Sequence, residues 1–205
     1  SQASKYGVWL VAGTIPLQSS EKNKVHASCL LYNNKGEVAA RYDKIHLFDV
    51  TLEGGDSYTE SETTTPGETV VVVDTQCGRL GLASCYDLRC PEMFRAMPNS
   101  GVDICVLPSA FTSQTGKAHW ETLIRARAIE NLSYMVAAAQ GGYHVNGRET
   151  HGDSMIVDPW GLVLNRLPHG TGAVVSEIDI EKLQKTRQLF PALEHRRLDC
   201  KINIG

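Results

Sequence analysis

The stretch RLGLASCYDLRCPE, residues 79–92, decides how the rest of the chain is read. A short apolar run, Leu80 to Ala83, leads to Cys85. A turn-like Tyr86-Asp87-Leu88-Arg89 follows, and Pro91 stands where a helix can begin. Proline suits a first helical position because its missing N–H would be unpaired there in any case. A cysteine between a strand end and a helix start is held at a sharp bend, its sulfur exposed and nearby backbone N–H groups facing an incoming carbonyl, as in a nucleophile elbow. A lone cysteine, however, is most often a buried and inert small hydrophobe. Cys85 therefore acquires a chemical reading only from its surroundings.

Around this stretch the chain alternates strand and helix signals. Residues 69–74 (TVVVVD) read as a strand buried on both faces, with residues 79–84 as its hairpin partner or neighbour. Residues 91–99 read as a short helix and 104–107 as a buried strand ending at Pro108. The segment PSAFTSQTG reads as a loop, and residues 119–131 form the clearest helix. In that helix Trp120, Leu123, Ile124 and Ala128 share one face. Glu121 with Arg125 and Arg127 with Glu130 are ion-pair spacings, so the RARA run is an ion-paired or solvated face rather than a nucleic-acid patch. Residues 134–139 predict a strand, 141–152 a loop, and 154–157 with 162–165 a hairpin across Asp158-Pro159-Trp160-Gly161, a type I turn sequence. Residues 172–178 predict another strand and 180–189 a helix, followed by a basic tail. Upstream, residues 8–15 read as a buried strand stopped by Pro16, and 25–32 and 38–42 as strands joined by the turn Asn33-Asn34-Lys35-Gly36, with no helix between them. The polar segment 51–67 is too long for a passive connection. The sum is a layered α/β domain with mixed sheets.

With 205 residues, 42% hydrophobic and 21% charged, the chain has the composition of one ordinary globular domain. Its net charge of -3 offers no attraction to nucleic acid or an anionic membrane, and no apolar run reaches membrane-spanning length. The cysteines at 29, 77, 85, 90, 105 and 200 are irregularly spaced and form no C-x-x-C pair. Thiols of an intracellular protein are expected, and neither a structural zinc nor any other metal site is predicted.

Four stretches taken together, RYDKIHLFDV, CYDLRCPE, PSAFTSQTGKAHWETLIRARAIEN and HGDSMIVDPWG, resemble the nitrilase, or carbon–nitrogen hydrolase, superfamily. The resemblance covers nearly the whole chain. The PSAF loop and the VAAAQGGYH run favour the branch that hydrolyses deaminated glutathione over the sister ω-amidase branch. It implies a four-layer α-β-β-α sandwich with mixed sheets, residues 1–205 forming one domain that lacks the family's N-terminal strand–helix unit. It also implies amide hydrolysis without a cofactor by a Glu-Lys-Cys triad. The thiolate attack divides a difficult reaction into thioester formation and thioester hydrolysis. A carboxylate moves the proton, and a cation stabilises the oxyanion.

Carried over by position, Cys85 is the nucleophile, Lys44 of the KIHLF motif the oxyanion-side cation, and the N–H of Tyr86 a second oxyanion donor. A further glutamate that holds the lysine matches Glu60 in YTES, with Glu53 as the fallback. Phe111, Thr112 and Arg148 are the expected substrate contacts, Arg148 for a carboxylate. The triad's first glutamate lies upstream of every matched motif, since neither Glu21 nor Glu37 suits the role. Arg89 and Glu92 are expected to form an ion pair that shapes the elbow, and His46, His119, His144 and His151 to be packing or loop residues. Cys90 stands where an aromatic is usual, and Asp153 where a histidine is usual. The expected partner is a small amide substrate, the expected assembly a homodimer through residues 91–99 and 119–131, and the expected compartment the cytoplasm, with the mitochondrion also open. Three other readings stay open beside the leading one: an ω-amidase acting on 2-oxoglutaramate-type substrates, a catalytically incomplete binding subunit, and a papain-like Cys-His-Asn enzyme.

Overall fold

Three antiparallel strands, β1 (Leu10–Gln18), β2 (Val25–Tyr32) and β3 (Val38–Asp43), open the fold in the order β1-β2-β3. The computed structural model describes residues 1–198 apart from 54, 56 and 146. Its described residues divide into two units, 1–71 and 72–198. Cys200 and the end of the basic tail lie outside the described residues.

In the first unit the chain begins with a helix, α1 (Gln2–Tyr6), where only strands were expected. Five residues are too few to show a helical period, but the caps are present. The Ser1 hydroxyl accepts the Ser4 N–H at 3.3 Å, and Gly7 closes the helix at φ 64°. Nor does Pro16 end β1, which continues to Gln18 with Pro16 opposite Ala27. An edge strand tolerates proline because one side of its backbone has no neighbour to bond. β1 is also largely exposed rather than buried, with Leu10 and Ile15 each 37% accessible. The central strand β2 carries the core instead: Cys29 and Leu31 are fully buried, and burial pushes the Cys29 thiol up to about 12. The 33–36 turn forms as read, the Asn33 side-chain oxygen accepting the N–H groups of Lys35 and Glu37. The polar segment after β3 is ordered by a hairpin, β4 (Asp49–Thr51) with β5 (Ser57–Thr59), which leads into a 3-10 turn at Glu60–Glu62.

The second unit is built on a six-stranded sheet. Its strands are β6 (Val71–Thr75), β7 (Gly78–Leu82), β8 (Ile104–Ser109), β9 (Tyr134–Ala139), β12 (Ser154–Val157) and β13 (Val163–Leu167), in the order β13-β12-β9-β8-β7-β6. A separate hairpin, β10 (Gly141–Tyr143) with β11 (Glu149–His151), replaces the loop expected over 141–152. β7, β8 and β9 run parallel, while β12 is antiparallel to β9 and to β13, so the sheet is mixed. The crossovers are α2 (Pro91–Ala96) and α3 (Ser113–Asn131), and α4 (Ile180–Leu189) follows the sheet.

Several boundaries differ from the sequence reading for identifiable reasons. β6 ends the sheet and is half-buried, not buried on both faces. β8 passes through Pro108, which sits opposite Ala138 of β9. The carbonyl of Val106 accepts the Ala83 N–H, so Pro108, two residues on, turns its nitrogen to the side where β7 has already ended. α3 starts at Ser113, six residues before the expected 119, because Thr112 caps it and accepts the Thr115 N–H at 3.2 Å. The hydroxyl-rich run is thus a cap and first turn. Residues 172–178 form no strand; the Asn165 amide donates to the Val175 carbonyl at 2.8 Å, a side-chain bond in place of a ladder. Trp120 and Ile124 of α3 are 1% and 0% exposed within the single chain, so they are core residues and not a surface for a second copy. Among the described residues no helix is long and apolar enough to cross a membrane.

Candidate active site

Lys44 follows β3 directly, and Glu60 opens the 3-10 turn after β5. Sixteen residues apart in sequence, they meet in the first unit. Lys44 Nζ donates to Glu60 Oε2 at 2.5 Å, and the same oxygen accepts the Phe48 N–H at 2.6 Å. Two charge-assisted donors on one carboxylate oxygen fix both side chains. The Lys44 side chain is 5% exposed and that of Glu60 24%. An ammonium removed from water this far needs a close counter-charge, and Glu60 supplies it. Lys44 is also fixed through its backbone, its N–H donating to Ala27 and its carbonyl accepting from Gly67. The hairpin β4–β5 is what returns the chain to bring Glu60 to this point. Glu53, the fallback, lies in the connection between the two hairpin strands.

In the second unit, β7 delivers Cys85 to a bend. Ser84 is extended (φ -145°), Cys85 turns into the left-handed region at φ 47°, and residues Cys85–Arg89 form a 3-10 turn before Pro91 starts α2. A side chain rarely adopts that φ without support. The support is local and buried. Asp87 is fully buried, its carboxylate accepts the Ser84 N–H at 2.8 Å, and its own N–H donates to the Ser84 carbonyl at 3.0 Å. From α3, Arg127 donates twice to the Leu88 carbonyl, at 3.1 and 2.8 Å, and pairs with Glu130 at 3.0 Å. Arg127 also stacks over Phe94. Cys85 is half-buried, and its neighbour Cys90 has a raised pKa, first from burial and then from the charges of Asp87 and Glu92.

Arg89 does not form the expected ion pair with Glu92. Its guanidinium lies over the rings of Tyr86 and Phe111, 5.6 and 5.2 Å from their centroids, and one nitrogen is 3.2 Å from His119 Nδ1. The fork therefore ties the elbow to α3 through aromatic faces. Phe111 packs edge-on against Trp120, and Thr112 is buried as the α3 cap, its hydroxyl 2.8 Å from that of Thr115. Arg148 stands on the β10–β11 hairpin and donates to the Ala110 carbonyl at 2.7 Å. His144, read as a loop residue, is 2.8 Å from the Thr150 hydroxyl.

Two supporting groups escaped the sequence reading. Arg127 makes the expected ion pair with Glu130, but at 5% exposure it is buried and supports the elbow. The signal was its spacing, since Trp120, Ile124, Arg127 and Asn131 recur at 4, 3 and 4 residues on one helix face. Asp153, at φ 66° and nearly buried, takes the Arg166 guanidinium at 2.5 Å, while its carbonyl accepts the Trp120 indole N–H at 2.7 Å.

The second unit thus carries a thiol at a strand-to-helix bend, and the first a buried lysine held by a glutamate. Residues 1–188 match the carbon–nitrogen hydrolase family, and the chain belongs to it, with the mixed α/β fold and the amidase chemistry of the nitrilase superfamily. It is 45% identical over 197 residues to the deaminated glutathione amidase of Yersinia enterocolitica, a match covering 95% of this chain and 69% of that protein. It is 41% identical over 199 residues to the deaminated glutathione amidase of a Synechocystis strain, covering 96% of this chain and 73% of that one. Among solved structures, the NitFhit protein of C. elegans superposes with a TM-score of 0.92 at 40% identity over 98% of this chain, which spans half of the larger protein.

Proposed function

We propose that the protein hydrolyses the amide bond of deaminated glutathione through a thioester on Cys85. The thiolate attacks the amide carbonyl and the C–N bond breaks. Cysteinylglycine leaves with the proton taken from the thiol, and water then cleaves the thioester to release 2-oxoglutarate and restore the thiol. In this reading Lys44 and the Tyr86 N–H stabilise the oxyanion, and Glu60 holds Lys44 in place. The glutamate that relays the proton is the one implied by the family resemblance, and none of the residues named here is given that role. The observation that carries this reading is the Lys44–Glu60 pair at 2.5 Å, which supports the roles that the family resemblance implies for those two positions. The names of the relatives support the substrate. Phe111 and Thr112 serve the substrate by shaping its site, through Trp120 and the α3 cap respectively.

The test is turnover by the full-length protein of a panel of nitriles, ω-amides, carbamoyl amines and deaminated glutathione, with products identified by mass. Deaminated glutathione is expected to be preferred, and denaturing mass spectrometry should trap an acyl group on Cys85. Cys85→Ala and Lys44→Met are expected to abolish turnover, whereas turnover by Cys85→Ala would overturn the mechanism. Alkylation near pH 7 provides the control. Cys29 and Cys105, whose thiols are pushed up to about 12 by burial, should stay unmodified while Cys85 reacts. The assembly is proposed to be a homodimer, checked by light scattering at micromolar concentration.

A further inference from the structure

Tyr42 stands two residues before Lys44, and the period of a strand sets both side chains on one face of β3 and its continuation. They are 0% and 4% exposed, whereas Arg41 is exposed and Asp43 half-buried. β3 ends at Asp43, so the backbone after Lys44 leaves the sheet and its groups need other partners. Three hydrogen bonds hold it. The Lys44 N–H donates to the Ala27 carbonyl at 3.0 Å, a last rung toward β2, and the Lys44 carbonyl accepts the Gly67 N–H at 2.8 Å. The Ile45 N–H donates to the Tyr42 hydroxyl at 3.1 Å. The first two are main-chain bonds, while the third depends on a single side-chain oxygen. Gly67 passes so near that a Cβ there would collide with the Asp43 carbonyl, which encloses the same backbone from that side.

We propose that Tyr42 is a positioning residue for Lys44, its phenol fixing the Lys44–Ile45 peptide and with it the direction in which the lysine leaves the backbone. Glu60 holds the far end of the same side chain, at Nζ. Lysine has a flexible four-carbon stem, so its ammonium is placed accurately only when both ends are held. Rotation of the Lys44–Ile45 peptide would displace the ammonium and loosen its pair with Glu60. The effect on turnover rests on the amidase reading, whereas the effect on the Lys44–Glu60 pair needs no reaction to be measured. Phenylalanine at position 42 keeps the ring and removes only the acceptor of the Ile45 N–H.

The test uses the full-length protein. Tyr42→Phe is expected to lower kcat for deaminated glutathione by about 10- to 100-fold, the cost of misplacing a group by about 1 Å. KM should change by less than about 2-fold, because a group that meets the oxyanion acts in the transition state alone. Tyr134→Phe is the control and should leave kcat unchanged. Tyr134 is 2% exposed, and its hydroxyl likewise accepts a backbone N–H, that of Asp179 at 3.3 Å, in the second unit. The second measurement is the Lys44–Glu60 coupling, from thermal unfolding of a double-mutant cycle with Lys44→Met and Glu60→Gln. It should fall by about half or more in the Tyr42→Phe background and persist in the Tyr134→Phe background. An equal loss of kcat in both tyrosine variants, an unchanged kcat in Tyr42→Phe, or a loss carried by KM overturns the proposal. So does an unchanged coupling, whatever the turnover. If the wild type turns over no amide, the amidase reading fails and the coupling decides alone. If Tyr42→Phe does not fold, hydrogen exchange of the wild type decides. The Ile45 amide should then be as protected as that of Lys44, and free exchange at Ile45 overturns the proposal.

Discussion

Replacing Glu60 with glutamine removes one negative charge from beside a lysine that is 5% exposed. Glutamine keeps the length and one acceptor oxygen, so the steric change is minimal and the electrostatic one is isolated. Exposed pairs contribute about 0–1 kcal/mol, and breaking a fully buried one costs about 3–5 kcal/mol. With Lys44 buried and Glu60 24% exposed, the loss should fall between these limits, at about 2–3 kcal/mol. In a protein of this size that corresponds to a melting temperature lower by about 4–12 °C. Glu60→Asp should not rescue the pair. A single oxygen receives both Lys44 at 2.5 Å and the Phe48 N–H at 2.6 Å, and a shorter side chain cannot reach both. A double-mutant cycle with Lys44→Met separates the pair from its surroundings and should give a coupling of about 1.5–3 kcal/mol. Because the pair is largely buried, most of that coupling should survive half-molar salt. The assay is thermal unfolding by circular dichroism at two ionic strengths. A Glu60→Gln protein that melts within a degree of wild type, or a coupling below about 0.5 kcal/mol, would refute the reasoning.

The elbow makes two more predictions. Arg127→Met should destabilise by about 2–4 kcal/mol, since the buried Leu88 carbonyl loses two donors, and Arg127→Lys should not restore stability because an ammonium lacks the fork; urea midpoints check both. At Cys85, φ 47° penalises any Cβ, so Cys85→Gly should be more stable than Cys85→Ala by about 1 kcal/mol, again by urea unfolding, with neither variant active.

Much of this was legible in the sequence, and the exceptions have physical causes. β2, β9, β12 and α4 fall where periodicity places them, because each is bounded by a turn or cap with its own chemistry. Both prolines read as strand ends sit inside strands, since a period along one strand does not say which neighbours it has. Pro16 lies on an edge and Pro108 beside the gap past the end of β7. The 172–178 run alternates like a strand but lacks a ladder, which only tertiary pairing could show. The approach of Glu60 to Lys44 depends on the β4–β5 hairpin, and composition marked that segment only as polar. The motif match supplied the pairing that propensity could not.

The buried polar groups around Cys85 are arranged by what each would cost if left alone. A left-handed residue between an extended Ser84 and a 3-10 turn leaves backbone groups that no regular element satisfies. Asp87 takes the Ser84 N–H, Arg127 takes the Leu88 carbonyl, and Glu130 takes the remaining charge of Arg127, partly exposed itself. The partners lie in the Cys85–Arg89 turn and on α3, so relaxing Cys85 to an ordinary φ would strain the bonds within the turn and those from α3 at once. Strain of about 1–3 kcal/mol persists only where the surrounding structure over-determines the residue. Here that structure consists of residues with no chemical part in amide hydrolysis. It follows that substitutions at Asp87 or Arg127 should act on turnover and stability together, whereas a change confined to the Cys85 sulfur should affect turnover alone.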